Sequence, residues 1–337
     1  MVSLKDIASK CGVSTATVSK ALNGHRDVGP ETKARIVSAA KEMGYVPNAA
    51  AKSLKTDRTY NIGVLFVDEA NSGLTHDYFS HVLDSFKRAV EKEGYDITFI
   101  SSNKERAGRD TYLSHARFRR FDGVCIACVD FKDPEVIELV NSEIPVVAID
   151  HLYNDTAAVM SDNVGGMRDL VNYVTGMGHE RIAYIHGADS SVTKARMISF
   201  YRTLDDKGID VPEDYIKMAA YRDTHGAYER TLELLELKEP PTCILYPDDF
   251  SCFGGIRAIN EKGLRIPEDV SVAGYDGLKL GRHVRPRLTT IRQDTTALGE
   301  KAAESLIGLI EKPRTTLASQ VMVEGSLYEG ETVAKLK

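Results

Sequence analysis

Four side chains near the start of the chain, Thr15, Ala16, Ser19 and Lys20, fall at i, i+1, i+4 and i+5, which on a helix makes a single outward strip. They offer hydroxyls, a methyl and an ammonium, the groups that read base edges in a DNA major groove. A second set lies far downstream. Asp150, the pair Asp248-Asp249 and Asp276 each stand at or just past an apolar run that reads as a strand, and Arg196 lies early in the helix that follows another such run. Asp68 and the loop 72–77 occupy the same kind of place. Ionised carboxylates accept and a guanidinium fork donates, so this set suits a ligand rich in hydroxyls. An Asp at a strand end also caps the next helix, and that alternative stands for each of them taken alone.

Other chemistry finds little support. Cys125 and Cys128 have the spacing of a redox pair or half a zinc site, but they lie in an apolar stretch that reads as a buried strand, and no second pair accompanies them. Five cysteines, an odd and scattered set, fit reduced thiols better than a disulfide framework. No Gly-rich phosphate loop, nucleophile elbow or His-Glu-x-x-His run is present, and the nine histidines are scattered. We therefore expect no catalytic residue, no metal and no cofactor. No apolar span is long enough for a membrane helix, and the N-terminus lacks the basic and apolar run of a signal peptide, which predicts a cytoplasmic protein.

The elements that must position these groups can be read from capping and periodicity. Ser3 can cap a helix from Leu4 to Cys11, Gly12 turns the chain, and Ser14 can cap a second helix from Thr15 to about Leu22. Ile7, Ala8 and Cys11 stripe the first helix; Val18, Ala21 and Leu22 stripe the second, so the two can pack as a helix-turn-helix. A small helical hairpin with a solvated face is the alternative that spacing alone leaves open. A third helix over 30–43, with Ala34, Ile36, Val37, Ala40 and Met43 apolar, would close this core. Residues 1–58 carry ten Lys and Arg against five Asp and Glu, whereas the remainder carries 33 against 44. A basic head on an acidic body is what nucleic-acid binding by one end requires.

Residues 48–55 are too short and polar to form a stable helix unaided, so 48–59 reads as a linker between a domain at 1–47 and another at 60–337. Beyond residue 60, apolar strands alternate with amphipathic helices. The first series has strands near 62–67, 97–101, 124–129 and 146–149, with helices near 78–93, 107–118 and 134–141. A second has strands near 158–161, 182–186, 216–219, 244–246 and 270–273, with helices near 165–175, 193–207, 227–235, 251–261 and 295–311. The predicted fold is an N-terminal all-α helix-turn-helix headpiece plus an α/β core of two doubly wound parallel-sheet lobes, with a ligand crevice at the strand C-termini.

Specific segments carry a resemblance. Leu4-Lys5-Asp6-Ile7-Ala8, Gly12-Val13-Ser14, Thr17-Val18-Ser19-Lys20-Ala21-Leu22-Asn23, Gly44-Tyr45-Val46-Pro47-Asn48 and Ala51-Lys52-Ser53-Leu54 resemble the headpiece of the LacI/GalR family of bacterial repressors. It continues through Gly178-His179, Arg181-Ile182-Ala183, Asp269 to Asp276 and Leu288-Thr289-Thr290-Ile291, and so covers essentially the whole chain. It implies a periplasmic-binding-protein-like core. It also implies that 48–55 is a hinge helix ordering on DNA, with Leu54 as a wedge in the minor groove. Lys52 stands where many relatives carry Arg, which keeps the charge but not the fork. By the same resemblance Arg196, Asp276, Tyr221, Asp248 and Asp150 face an effector, Tyr221 as the packing aromatic. Asp248 stands where many members carry Asn, so the acceptor and donor pattern differs there.

Together these readings predict a sequence-specific transcriptional regulator, a repressor, that binds a pseudo-palindromic operator as a homodimer. One helix reads a half-site, and two half-sites are matched by two-fold symmetry. Thr15, Ala16, Ser19 and Lys20 are the expected base readers, with Ser14, Asn23, Lys52 and Leu54 as further DNA contacts and His25 and Lys33 as lesser ones. The effector is expected to be a sugar or sugar derivative, with a nucleoside, purine or phosphorylated metabolite as alternatives. A sugar-binding receptor of the same two-lobe fold would carry a signal peptide in place of the headpiece.

Overall fold

The computed structural model describes residues 2–25, 27–46, 58–67, 73–100 and 111–336. Lys52, Leu54 and the rest of the expected hinge lie outside the described residues, as do Asp68 and Ser72. The chain divides into two compact units, Met1–Thr59 and Tyr60–Lys337.

In the first unit, helix α1 (Leu4–Cys11) starts at a capping box in which Ser3 and Asp6 satisfy each other's backbone N–H groups. Gly12, at φ +63°, closes it in the left-handed conformation. Helix α2 (Thr15–Leu22) is capped by Ser14, whose hydroxyl accepts from the Thr17 N–H at 3.1 Å. Helix α3 (Pro30–Glu42) begins with Pro30, which lacks an N–H that the first turn would leave unpaired. Ile7, Ala8, Cys11, Val18, Ala21, Ile36, Ala39 and Ala40 form the core of this unit. The third helix is rotated from the predicted face: Ala39 replaces Ala34 inside, and Val37 is 45% exposed. Because the Ser14 hydroxyl already serves as a cap, Ser14→Ala is expected to cost about 1 kcal/mol. In the full chain, amide exchange across α2 should then run roughly fivefold faster.

The second unit contains two six-stranded sheets. The first runs in the order β11-β5-β4-β3-β1-β2, from β1 (Asn61–Phe66), β2 (Asp96–Phe99), β3 (Gly123–Ala127), β4 (Val146–Ile149), β5 (Ala157–Ser161) and β11 (Gln320–Val323). The second runs β12-β10-β9-β8-β6-β7, from β6 (Ile182–His186), β7 (Ile216–Met218), β8 (Cys243–Leu245), β9 (Ser271–Asp276), β10 (Thr289–Arg292) and β12 (Ser326–Tyr328). All pairings are parallel except β10 with β12. Central strands such as Val146-Val147-Ala148-Ile149 are buried at every position, because helices cover both faces of a parallel sheet. In each sheet the strand order reverses between the first strand of its series and the third, β1 and β3 or β6 and β8. There the connections leaving the strand C-termini pass to opposite faces of the sheet and leave a crevice between them.

The two lobes are not consecutive in sequence, contrary to the linear division expected above. Strand β5 and the long helix α11 (Thr295–Glu311), both assigned to the second series, belong to the first lobe. Alternation of strand and helix reveals period but not sheet membership. Here the deciding contact is tertiary. A Cβ on Gly299 would lie 2.4 Å from the Val82 carbonyl, so only glycine lets α11 lie against helix α4 (Asp77–Lys92). The chain thus crosses between lobes three times, after Ser161, after Arg292 and after Val323. The short strands β10, β11 and β12 were not anticipated from the sequence; the two late ones lie at sheet edges with mixed burial.

Candidate functional site

On the first unit, Thr15, Ala16, Lys20 and Asn23 are exposed and Ser19 is half-buried, so α2 presents the predicted strip to solvent. Lys20 is not free on that strip. Its Nζ lies 2.5 Å from Asp27 Oδ2 in the connection to α3. Asn23 folds its amide back, Nδ2 donating to the Ser19 carbonyl at 2.7 Å.

On the second unit, the strand ends gather the second set. Arg196 sits on helix α8 (Ser191–Asp205), only 3% exposed. Its Nε donates to Asn163 Oδ1 at 2.7 Å and its Nη1 to the Pro247 carbonyl at 2.8 Å, and the guanidinium lies 3.5 Å over the Tyr275 ring. Arg196 and Asp276 share no hydrogen bond and no ion pair within 4.0 Å, so a direct salt bridge does not close the site. A buried guanidinium held by neutral acceptors keeps donor capacity for a further partner.

Asp276 ends β9 with φ +104°, a conformation that non-glycine residues adopt at a cost of order 1–3 kcal/mol. Its Oδ1 accepts from Gln293 Nε2 at 2.6 Å, and its other oxygen has no protein hydrogen bond among the described residues. Burial pushes its carboxyl up to about 7; Arg196 acts against this, while Asp248 and Asp150 add to it. Tyr221 stands over Gly187, where a Cβ would come within 2.3 Å of its ring, and its hydroxyl meets Thr193 Oγ1 at 2.8 Å.

The other two carboxylates are spent on the scaffold. Asp248 caps helix α10 (Asp249–Glu261): Oδ1 accepts from the Ser251 N–H at 2.8 Å, and Oδ2 takes the Ser251 hydroxyl at 2.9 Å and the Arg222 N–H at 2.8 Å. Asp150 accepts the Tyr78 hydroxyl at 2.8 Å and the Ser161 N–H at 2.9 Å. Burial raises the pKa of both. They still bear on the site through their field, since Arg196 favours the ionised form of each. Asp249 is further inside, holding Thr290 Oγ1 at 2.7 Å and the Leu278 N–H at 2.6 Å.

Two residues that sequence reasoning passed over belong here. Arg222, at φ +61°, lays its guanidinium 4.3 Å over the Phe250 ring and reaches to 3.7 Å from Asp77, which lies in the other lobe. Its position next to Tyr221 was the available signal. Two more contacts join the lobes, the Ser191 hydroxyl to the Asp150 carbonyl at 3.2 Å and Lys132 to Asp189 at 3.5 Å. Tyr184 in β6 is fully buried, its hydroxyl has no hydrogen-bond partner among the described residues, and Arg196, Tyr221, Tyr275 and Asp248 all act on it electrostatically. Nothing in the run Ile182–His186 distinguishes that tyrosine from a core aromatic. Removing an unpaired hydroxyl without leaving a cavity relieves its desolvation. Tyr184→Phe is therefore expected to leave the unfolding free energy unchanged or raise it by about 1 kcal/mol in denaturant titration.

Cys125 is buried inside β3 and its thiol is pushed up to about 12 by burial, which disfavours a reactive thiolate. Among the described residues no group of three His, Cys, Asp or Glu side chains is placed to hold a metal ion, and no helix is long and apolar enough to cross a membrane.

Comparison with known proteins bears on the family and the fold. Residues 3–48 match the family described as bacterial regulatory proteins, lacI family, and residues 171–333 match a periplasmic binding protein-like domain. The chain is 32% identical to the HTH-type transcriptional repressor PurR of Pectobacterium carotovorum subsp. carotovorum strain PC1, over 99% of this chain and 97% of that one. Among solved structures, the lac repressor dimer bound to operator and the anti-inducer ONPF superposes with a TM-score of 0.83 at 25% identity, covering 99% of each chain. A LacI family regulator from Enterococcus faecium with bound ribose superposes at 0.70 with 25% identity, over 82% of this chain and all of that one.

Proposed function

Because this chain belongs to the lacI family of bacterial regulatory proteins and is a DNA-binding transcriptional regulator, we propose that it represses transcription as a homodimer on a pseudo-palindromic operator. It acts in the cytoplasm, and by binding instead of catalysis. The proposed division is a headpiece at 1–47, a hinge and linker at 48–59 and an effector-binding and dimerisation domain at 60–337. In the headpiece α2 enters the major groove, with Thr15, Ala16 and Lys20 towards base edges, Ser14, Ser19 and Asn23 beside them, and Lys52 and Leu54 contacting DNA from the hinge. Lys20→Ala should cost roughly 1–3 kcal/mol in operator affinity and relax preference at one base pair per half-site. A loss spread evenly over all sequences would instead make Lys20 a phosphate contact.

The proposed effector is a small polar molecule, a sugar or sugar derivative, held by Arg196 and Asp276 with Tyr221 packing on its apolar face and Asp150 and Asp248 shaping the field. The observation that carries this is the buried Arg196 guanidinium, bonded among the described residues only to neutral oxygens, and the Asp276 carboxyl that feels its charge and keeps one oxygen unbonded. A donor fork beside an acceptor matches paired hydroxyls. A nucleoside or purine is the second reading, favoured by the flat surface that Arg222 and Phe250 make beside Tyr221. To move the operator equilibrium, the effector must favour one arrangement of the lobes over another.

A thermal-shift screen with sugars, nucleosides and sugar phosphates tests this, because a ligand that binds the folded protein stabilises it in step with the logarithm of its concentration over Kd. Compounds that stabilise the protein are then titrated into operator complexes of wild type, Arg196→Ala and Asp276→Ala. If both variants respond like wild type, the site lies elsewhere.

A further inference from the structure

The geometry points to Asp27 as a specificity-determining side chain on the DNA-reading face: Lys20 and Asp27 act as one donor–acceptor unit that selects a G·C pair in a single orientation. This deepens, and rests on, the reading that α2 enters the major groove with Lys20 towards base edges. Lys20 lies in the last turn of α2 and Asp27 seven residues later, in the connection to α3. Their charged atoms are 2.5 Å apart, and the side chains are 51% and 54% exposed. Lys20 stands on the strip that Thr15 and Ala16 share, and Asp27 is held against it by this contact, with the exposed lone pairs and N–H groups of the pair available.

A lysine alone reads sequence poorly. Its ammonium is a point charge with three rotatable donors on a flexible stem, so it satisfies a guanine in either strand or a thymine O4. A carboxylate fixed beside it changes this. In the major groove a G·C pair presents acceptor, acceptor, donor in order: guanine N7, guanine O6, cytosine N4–H. The Lys20 ammonium donates to the first two and the adjacent Asp27 oxygen accepts from the third. A C·G pair presents the reverse order. An A·T pair sets the thymine O4 acceptor where the carboxylate sits, placing lone pair against lone pair; a T·A pair keeps a donor there, adenine N6–H, but sets the thymine methyl where the ammonium would meet guanine N7. Asp27 thus turns an appetite for acceptors into a choice of orientation.

The competing role for Asp27 is plain repulsion of phosphate, and that would act on all sequences alike. The experiment separates the two. Full-length wild type, Asp27→Ala, Asp27→Asn, Lys20→Ala and the Lys20→Ala/Asp27→Ala double variant are used to select duplexes from a random pool. Each is then titrated against the selected half-site and its single-pair replacements at two salt concentrations. Wild type is expected to prefer G·C to C·G at one pair of each half-site by about tenfold or more. Asp27→Ala should shrink that preference to within about twofold and leave the other pairs unchanged, while Asp27→Asn, which retains an acceptor oxygen, restores part of it. At that pair the two alanine substitutions should be non-additive; elsewhere they should add. If Asp27→Ala raises affinity evenly for all duplexes with a steeper salt dependence, or leaves the preference at Lys20's pair untouched, the inference is overturned. If Lys20→Ala itself loses affinity evenly with no pair singled out, the underlying placement of Lys20 fails, and the inference falls with it for a separately identifiable reason.

Discussion

Replacing Arg196 by alanine is expected to lower the unfolding free energy of the two-sheet unit by about 3–5 kcal/mol, the cost of removing one member of a buried charged network. The guanidinium is 3% exposed and satisfies Asn163 Oδ1 and the Pro247 carbonyl, and it offsets the field of Asp150, Asp248 and Asp276. Alanine would leave two buried acceptors unpaired, three buried carboxylates without their cation, and a void over the Tyr275 ring. In a domain of this size each kcal/mol moves the midpoint by roughly 2–4 °C, so scanning calorimetry should show a fall of roughly 6–20 °C. Arg196→Lys keeps the charge but not the fork, and should recover part of the loss. A fall below roughly 1 kcal/mol for alanine would mean that Arg196 contributes little to the empty fold and is retained for ligand alone. Effector response of this variant must accordingly be measured well below its midpoint.

The second large effect concerns pH. Asp276 is pushed up to about 7, whereas the same carboxyl in an unfolded chain titrates near 3.9. Below about pH 4 both states are protonated and the native state bears no penalty. As pH rises from there through 7 the unfolded chain releases its proton first, and stability falls until the folded carboxyl also ionises. At about 1.36 kcal/mol per unit the largest possible loss is roughly 4 kcal/mol between pH 4 and 8. Asp276→Asn keeps an acceptor for Gln293 and removes the titration. Denaturant midpoints taken from pH 5 to 8 should therefore fall less steeply for the variant than for wild type. A residual slope is expected, because Asp150, Asp248 and Asp249 are raised in the same direction. Parallel slopes for the two proteins would show that Asp276 is ionised throughout this range.

The headpiece was legible in the sequence because its signals are local. Ser3 and Gly12 fix where α1 begins and ends, Ser14 fixes where α2 begins, and the buried set on each helix follows the helical period. Alternation likewise announced two parallel sheets. What could not be read was whatever depends on partners distant in sequence. Helix α11 joins the first lobe through its apolar face of Leu298, Ala302, Ala303 and Leu306, and the bare Gly299 lets it close on α4, a pairing that no local signal announces. Among the candidate site residues, type and position at strand ends picked the right neighbourhood but not the division of labour. Asp248 and Asp276 look alike in sequence, yet one has both oxygens used in capping α10 and binding Arg222, while the other keeps an oxygen unbonded. Lys20 looked like a free cation because its partner lies beyond a turn, seven residues on.

The threefold crossing between lobes has a consequence for how the molecule is made. The first sheet takes its edge strand from residues 320–323 and its covering helix from 295–311, so a ribosome must deliver nearly the whole chain before that lobe can close. Strands β1 to β5 emerge first and must wait, with the apolar face that α11 will cover still open, while strands β6 to β10 of the second lobe are synthesised. Domains usually mature from the N-terminus during translation; here neither lobe is complete until residues 320–328 have supplied an edge strand to each sheet. Chains that stop short of residue 295 should therefore collect as aggregates or chaperone substrates even though every one of strands β1 to β5 is present.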